Sequence, residues 1–401
     1  MNKILPPFYQ SALRPHLSES QSLSLELLLL LLQSFRRVKL SRLASLFPQP
    51  IQYESRLRNL QRFLVLPQLH VKLLWFPIIK YWIRQEFKPK QLNHNQRRRL
   101  KRLRRKHHGY LLLALDRTQW KGRNLIVVSL IWDKHALAVN WEFLDKKGSS
   151  NFAEQRTVLK PVLKLLQSYP VLVLGDREFH SVKLAEFLSS RKVGFCLRQK
   201  KNKNFSQDAQ NYQSLEDLGF KPGMSKFFKA VYINKNDPLG PFNLATYWKR
   251  KYRRKGPNEP WYILTSCQDL KTTLRFYRAR WGIETMFKDC KTGGYNLEDT
   301  KVNDTRFLAL FLLIVMAYSL ATCQGSCFRK VRLEVYVVRL QEDSRKERRH
   351  SDFWLGLYGY VWACAMEIWS EVALKLTALK PHKRLYFQRG FKALSLIQSS
   401  F

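Results

Sequence analysis

The sequence predicts an α/β protein in which a mixed β-sheet flanked by helices lies between two helical, basic regions. The first observation behind this prediction is the alternation of short apolar runs, typical of strands, with helix-like segments from residue 109 to about residue 325. The second is that the chain on either side has helical patterns rich in Lys and Arg. We therefore divide the 401 residues into a helical, basic N-terminal region with its linker (1–108), a core (109–325) and a helical C-terminal tail (326–401).

The charge of the chain indicates what it binds. There are 71 Lys and Arg against 30 Asp and Glu, which gives a formal net charge of +41. Because 45% of the residues are hydrophobic and 13% are aromatic, this excess belongs to a chain that can fold. A folded protein with this charge is expected to bind a polyanion. Nucleic acid is the first candidate, and an anionic membrane surface is the second.

Local patterns disfavour several protein classes. The six cysteines lack CxxC and CxxH spacings, so neither a disulfide framework nor a zinc site is expected. The first twenty residues lack the pattern of a secretory signal peptide. The apolar run Phe307–Cys323 is close to the lower limit for crossing a bilayer. Because it contains Tyr318, Ser319 and Thr322, we expect a buried core helix instead of a membrane span.

Three helices are predicted near the N-terminal end, over Leu23–Ser34, Leu40–Phe47 and Tyr53–Leu64. This arrangement resembles a helix-turn-helix in which the third helix enters the major groove of DNA. Arg58 and Arg62 are four residues apart and share a face of that helix, from which they could contact guanine edges or phosphates. The alternative is a pair of ordinary surface arginines.

Two short segments are strongly basic. Arg97–Lys106 holds eight cations in ten residues, and Lys249–Lys255 holds six in seven. Each is either a solvated charged segment or a surface that follows the DNA backbone. The second lies in a lysine-rich insertion at about residues 200–260, with short strands predicted at Phe227–Ile233 and Leu244–Trp248. The insertion residues that we assign to DNA binding are Lys249, Arg250, Lys251, Arg253 and Arg254.

The core has the order three strands, helix, strand, helix, strand, which is the ribonuclease-H-like plan. Its predicted elements are Tyr110–Leu115, Leu125–Trp132, Ala136–Phe143, helix Asn151–Ser168, Val171–Leu174, helix Val182–Ser189 and Val193–Leu197. In that plan the first and fourth strands are neighbours. Asp116 and Asp176, which follow them, should therefore meet at one end of the sheet. The simpler reading of either aspartate alone is a turn former or a helix cap.

A predicted helix over Tyr277–Lys291 carries the remaining polar groups. At about 100° per residue, one stripe of this helix holds Tyr277, Arg280, Glu284 and Lys291. Together with the two aspartates, Glu284 makes a set of three carboxylates. Hard oxygen ligands of this kind suit Mg²⁺ or Mn²⁺, and two such ions can act on a phosphodiester. The alternative is a surface helix with an ordinary ion pair between Arg280 and Glu284.

The spacing Tyr277-x2-Arg280-x3-Glu284-x6-Lys291 resembles the YREK signature of the DDE transposases of cut-and-paste bacterial insertion sequences. Trp281 and Thr292-Gly293 also resemble the family. Leu115-Asp116-Arg117-Thr118 is similar to its first motif, and Gly175-Asp176-Arg177-Glu178-Phe179 is similar to its second. The resemblance covers roughly residues 110–299, about half of the chain.

The resemblance implies a site and an activity. Asp116, Asp176 and Glu284 would be the catalytic, metal-binding triad for Mg²⁺ or Mn²⁺, with two ions per site, while Tyr277, Arg280 and Lys291 would hold phosphates. The enzyme would cut transposon ends and join the freed 3′ hydroxyls to target DNA. An aromatic residue of the insertion region would stack on a flipped base, and the candidates are Trp248, Trp261 and Trp281.

The resemblance also implies partners and a location. Double-stranded DNA would be bound at terminal inverted repeats and at the target, by a homodimer in a synaptic complex that involves no membrane. The protein would be bacterial, cytoplasmic and associated with the nucleoid. Two other functions stay open. One is a nuclease or resolvase of the same fold that hydrolyses DNA without joining it, and the other is a catalytically inactive DNA-binding relative.

Overall fold

The structure is a computed structural model. It describes residues 5–87, 109–132, 135–250, 257–291, 293–340 and 348–399. The chain forms two compact units. The sheet unit comprises residues 79–288, and the helical unit comprises residues 1–78 and 289–401. The three predicted regions, with boundaries at residues 108 and 325, do not coincide with these two structural units. That functional division stays a prediction.

The described helices and strands are as follows. The helices are α1 Pro7–Leu13, α2 Glu19–Phe35, α3 Leu40–Leu46, α4 Tyr53–Phe63, α5 Phe76–Phe87, α6 Phe152–Leu165, α7 Val182–Ser189, α8 Leu270–Ala279, α9 Trp281–Cys290, α10 Asp304–Lys330, α11 Glu334–Val337, α12 Asp352–Ile368, α13 Ser370–Ala378 and α14 Arg384–Gln398. The strands are β1 Leu111–Trp120, β2 Arg123–Trp132, β3 His135–Leu144, β4 Val171–Gly175, β5 Gly194–Arg198, β6 Asn204–Ser206, β7 Gln213–Ser214, β8 Ser225–Ile233, β9 Leu239–Tyr247 and β10 Trp261–Thr265.

One mixed sheet organises the sheet unit. Its strand order over the described residues is β3-β2-β1-β4-β5-β10-β9-β8-β6-β7. The first three strands form an antiparallel meander, while β1, β4 and β5 run parallel. Helix α6 packs on β2 and β3, and α7 packs on β5. This is the predicted ribonuclease-H-like plan, a mixed sheet flanked by helices, and that prediction is confirmed.

The first strand is longer than predicted. Leu111–Leu115 is fully buried, as the continuous apolar run indicates, but the strand continues to Trp120 and does not end before Asp116. The reason is its antiparallel partner, since β2 pairs with β1 from Leu113 up to the turn at Lys121 and Gly122. Asp116 therefore lies inside β1.

The insertion extends the sheet. The predicted strands at Phe227–Ile233 and Leu244–Trp248 correspond to β8 and to the second half of β9. Strand β9 joins β10 on one side and β8 on the other, so the β-rich insertion is hydrogen-bonded directly onto the core sheet. Lys249 and Arg250 follow β9 and are exposed. Lys251, Arg253 and Arg254 lie outside the described residues, as does the segment Arg97–Lys106.

Helix α10 forms the centre of the helical unit. It packs against α2 and α12. The crossing with α12 is close, because a Cβ at Gly325 would lie 1.8 Å from the Asp352 carbonyl oxygen and one at Gly356 would lie 1.9 Å from that of Ala321. The helix is long and apolar enough to cross a membrane, but 89% of its most apolar window is buried inside the protein. A buried core helix was the prediction for this segment.

The predicted N-terminal helices are present in the helical unit. Helix α2 begins earlier than predicted because Ser18 and Gln21 form a reciprocal capping box at its start. Helices α3 and α4 pack on each other. Arg58 and Arg62 are exposed on α4, whose Leu60 and Phe63 are buried. Two packed helices are what a helix-turn-helix requires, and the reading of DNA by these arginines stays a prediction.

Candidate active site

Backbone pairing brings the two aspartates together. The last residue pair of the parallel strands β1 and β4 is Leu115 with Gly175, and Asp116 and Asp176 are the next residues on each. Asp176 caps a single 3-10 turn, since its Oδ1 accepts a 2.8 Å hydrogen bond from the Glu178 amide. The cap role that the simpler reading assigns to this aspartate is therefore real. It also holds one carboxylate oxygen in place beside Asp116.

The predicted single helix over Tyr277–Lys291 is wrong, because the structure has two helices, α8 and α9, that meet at Arg280. Arg280 keeps helical torsion angles, with φ −52° and ψ −34°. The hydrogen bonds around it are of the i to i−3 type, from the Arg280 amide to Tyr277 and from the Ile283 amide to Arg280. The direction of the chain is thus preserved, and Tyr277, Arg280 and Glu284 remain near one another.

A glycine brings α9 close to the sheet. A Cβ at Gly282 would lie 3.1 Å from the carbonyl group of His135, at the start of β3. That distance is tighter than ordinary packing, so a side chain there would push the helix away. Gly282, two residues before Glu284, thereby lets the first turn of α9 lie close to the start of β3.

Arg280 connects the helix to the strands. Its Nη1 lies 2.9 Å from Asp116 Oδ2, and its Nη2 lies 2.6 Å from Glu284 Oε1. The guanidinium also interacts electrostatically with the Tyr277 hydroxyl. The Arg280 side chain is only 9% exposed, whereas that of Glu284 is 41% exposed. Two carboxylates therefore converge on one buried cation, with the Glu284 side facing solvent.

The electrostatics of the site indicate excess negative charge. The pKa of Asp116 is raised to about 7, because burial and the charges of Asp176 and Glu284 together outweigh the opposing effect of Arg280. Burial likewise raises the pKa of Tyr277 to about 12. One guanidinium does not balance three carboxylates, so the position between them favours additional positive charge.

The carboxylates are not arranged as metal ligands in this structure. Within the residues that the structure describes, no group of three or more His, Cys, Asp and Glu side chains is placed to hold a metal ion. The guanidinium of Arg280 instead binds the carboxylates of Asp116 and Glu284. The donor set itself, three carboxylates around a buried cationic position, has the chemistry that Mg²⁺ and Mn²⁺ prefer. The triad stays a prediction.

A second ion pair, which sequence reasoning missed, joins the two strand-end motifs. Arg117 Nε donates to Glu178 Oε2 at 2.8 Å, and Arg117 Nη1 donates to Asn124 at 2.9 Å. The other Glu178 oxygen accepts from the amide and the hydroxyl of Ser150, both at 2.9 Å. The only signal in the sequence is that a cation follows Asp116 and a carboxylate lies two residues after Asp176.

An aromatic and basic cavity of about 1170 Å³ lies in the sheet unit beside these helices. Its lining includes the side chains Arg177, Arg198, Lys201, Tyr247, Trp248, Lys249, Trp261, Tyr262, Arg278 and Trp281. All three tryptophans considered for base stacking are therefore in one place. Two of these side chains are held by neighbouring residues. The Trp248 indole donates a 3.0 Å hydrogen bond to the Pro257 carbonyl, and the Trp261 ring packs edge-on against Tyr277 with a centroid distance of 5.0 Å. Trp281 is 55% exposed.

The remaining predicted residues lie in the helical unit. Lys291 directly follows α9, and its Nζ is 4.0 Å from Glu298. Its assignment to phosphate binding stays a prediction, as do the assignments of Arg58 and Arg62.

Comparison with known families decides the relationship. A family model described as the transposase DDE domain matches residues 119–320, about half of the chain. The chain belongs to the DDE transposase domain family. The matched part of this transposase contains Asp176, Tyr277, Arg280 and Glu284, and it begins three residues after Asp116.

Two further comparisons add little. A cryo-EM structure of a piggyBac transposase synaptic complex with hairpin DNA is similar at a TM-score of 0.41 and 12% sequence identity. The alignment covers 91% of this transposase and 78% of that chain. A search of curated proteins finds no match.

Proposed function

We propose that this transposase moves a bacterial insertion sequence by a cut-and-paste reaction, as its resemblance to the YREK group implies. Its substrates are the terminal inverted repeats of the element and the target DNA, and it acts as a homodimer on chromosomal DNA in the cytoplasm. The observation that carries the proposal is that Asp116 and Glu284 both bind the buried Arg280, with Asp176 close enough to influence the charge of Asp116. A DNA-binding relative without catalysis has no need for that arrangement.

The proposed catalytic residues are the three carboxylates, which would hold two Mg²⁺ or Mn²⁺ ions. When bound, such ions activate the attacking oxygen and stabilise charge on the phosphate. The protein supplies the positions of the ligands. Asp116 is fixed by β-pairing and accepts a 2.8 Å hydrogen bond from the Arg117 amide, and Asp176 is fixed by its cap bond. Glu284, at the start of α9, is the more exposed ligand.

The proposed phosphate-binding residues are Tyr277, Arg280 and Lys291. Tyr277 is buried, and its hydroxyl is protonated at neutral pH, as the ordinary tyrosine pKa already requires; burial raises that pKa to about 12. It can therefore donate a hydrogen bond to a phosphate oxygen. Arg280 and Lys291 are positively charged and would stabilise the negative charge that develops on the phosphate during the reaction.

The aromatic cavity is the proposed binding site for the DNA end. Its cations, such as Lys249 and Arg278, would contact phosphates, while an aromatic face would stack on an unpaired base. We assign the stacking to Trp281, because it is more than half exposed while Trp248 and Trp261 are engaged by neighbouring residues. Trp281 lies next to Arg280, so a base stacked there would lie close to the carboxylates.

The test is incubation of the purified protein with Mg²⁺ and a duplex that carries the element's own end, followed by addition of target DNA. We expect cleavage at the end and a joined product with the target. Cleavage without joining would favour a nuclease or resolvase of the same fold. Binding without any cleavage in Mg²⁺ or Mn²⁺ would overturn the proposed reaction and leave an inactive DNA-binding relative.

A further inference from the structure

The position of Arg280 conflicts with the role of its neighbours as metal ligands. The guanidinium occupies Asp116 Oδ2 at 2.9 Å and Glu284 Oε1 at 2.6 Å, and the side chain is almost fully buried. These are oxygens that a divalent cation would need. A guanidinium and a divalent cation cannot share them, because two cations held a few ångströms apart in a poorly solvated site repel each other strongly.

The same contacts explain why an arginine stands there in the protein without metal. Asp116, Asp176 and Glu284 are close enough for each charge to disfavour ionisation of Asp116. The Asp116 side chain is 14% exposed, and an ionised carboxylate with so little solvent contact is costly without a counter-ion. Arg280 supplies the missing charge from within the chain.

We propose that Arg280 is an exchangeable counter-cation. It neutralises Asp116 and Glu284 when no metal is bound, and it leaves them when a divalent cation binds, which frees the guanidinium for a phosphate of the DNA end. This inference rests on the proposed function, because it takes the carboxylates to be metal ligands. It adds that metal and DNA end bind opposite partners of one ion pair, so that each frees the partner that the other binds.

The local structure permits this exchange. Arg280 lies at the interruption between α8 and α9, where its amide bonds in the i to i−3 pattern. Its Nε is buried and has no hydrogen-bond partner among the described residues, so part of the guanidinium is not anchored. The Glu284 end of the pair is 41% exposed, and the Arg280 guanidinium lies 5.7 Å from the ring centroid of the exposed Trp281, which lines the cavity.

The exchange has a thermodynamic consequence. A DNA end that draws Arg280 away from the carboxylates must raise the affinity of the site for metal, and metal must raise the affinity for the DNA end by the same factor. Random DNA, which binds basic surface without engaging Arg280, should lack this coupling. The coupling is therefore a property of Arg280 and not of the net charge.

The first experiment measures Mn²⁺ binding without DNA, by calorimetry or by the electron paramagnetic resonance signal of free Mn²⁺. We compare the wild type with Arg280→Met, which keeps the apolar stem and removes the charge. We expect Arg280→Met to bind Mn²⁺ at least about tenfold more tightly, because the competing cation is gone. The matched control is Arg156→Met, an exposed arginine of α6 that lies over the ring of Phe187, and it should bind Mn²⁺ like the wild type.

The second experiment uses only wild-type protein and so does not depend on folding of a variant. Mn²⁺ affinity is measured with a pre-cleaved end duplex and with a random duplex of equal length. A tighter Mn²⁺ affinity only with the end duplex supports the exchange.

The failures are distinguishable. If the wild type binds Mn²⁺ but folded Arg280→Met binds it equally or more weakly, or if both duplexes have the same effect, Arg280 is not an exchangeable counter-cation and the proposed metal site stands. If no protein binds Mn²⁺ at millimolar concentration, the proposed catalytic site itself is wrong.

Discussion

The two sides of the candidate active site are built in different ways. The strand side consists of Asp116 and Asp176, whose positions follow from the parallel pairing of β1 with β4 and from hydrogen bonds to backbone amides. The helix side consists of Arg280 and Glu284, which are held by side-chain ion pairs at an interruption between two helices. Backbone pairing gives the strand side little freedom, whereas an ion pair can exchange partners. We infer that the strand side is preorganised and that the helix side completes the site when ligands bind.

The largest expected effect is loss of a carboxylate on either side. We expect Asp116→Asn, Asp176→Asn and Glu284→Gln each to lower end cleavage by about a thousandfold or more, roughly 4 kcal/mol, because each removes a proposed metal ligand. Affinity for the DNA end should stay within severalfold, since most of it comes from basic residues elsewhere. The measurement is single-turnover cleavage beside a gel-shift assay. A variant that cleaves near the wild-type rate is not a ligand.

The next effect sharpens the comparison on the strand side. Glu178 touches neither Asp116 nor Asp176 through its carboxylate, but it holds Arg117 and the chain at Ser150. We expect Glu178→Gln to lower the cleavage rate by about 10- to 100-fold, as is usual for residues that orient metal ligands. The DNA-end affinity should be unchanged.

A matched control for Glu178 is Glu186→Gln, an exposed carboxylate on α7. To separate positioning from loss of stability, the metal concentration that gives half-maximal cleavage is measured as well. A positioning role predicts that this concentration rises in Glu178→Gln. If Glu178→Gln only lowers the melting temperature and leaves rate and metal dependence intact, the strand side does not depend on this tie.

A smaller effect tests the helix side. Trp281→Ala should weaken binding of the DNA end by about tenfold, since stacking of one base contributes roughly 1–3 kcal/mol, and it should leave binding of random duplex unchanged. Trp369→Ala removes another tryptophan of similar exposure, located in the helical unit, and should have no effect on end binding. Equal losses on both duplexes for Trp281→Ala would mean that this ring contributes to general DNA contact and not to recognition of the end.

The difference between the sides also explains what sequence reasoning could reach. Continuous apolar runs before Asp116 and Asp176 predict buried strands, and neighbouring parallel strands bring such residues together. The full length of β1 could not be predicted from its apolar run, because the strand continues beyond Asp116 by pairing with β2. Likewise, the bond between Arg280 and Asp116 joins residues 164 positions apart.

Helical periodicity accounts for a further success and a further error. It groups Tyr277, Arg280 and Glu284 correctly, because Arg280 keeps helical torsion angles. It also predicts one continuous helix, because the pattern of side chains in the sequence does not reveal a local change in backbone hydrogen bonding. The ion pair of Arg117 with Glu178 was missed for the related reason that it depends on how the turn after β4 folds over β1.

The most direct test of the central claim, that the strand and helix sides meet around bound divalent cations, is to locate those ions. Fe²⁺ is bound in place of Mg²⁺, and ascorbate with hydrogen peroxide generates radicals that cut the backbone next to the ion. We predict cuts near Asp116, Asp176 and Glu284, suppressed by excess Mg²⁺ and absent in Asp116→Asn. Mg²⁺-sensitive cuts confined to other parts of the chain, or cuts that persist unchanged in Asp116→Asn, would contradict the account.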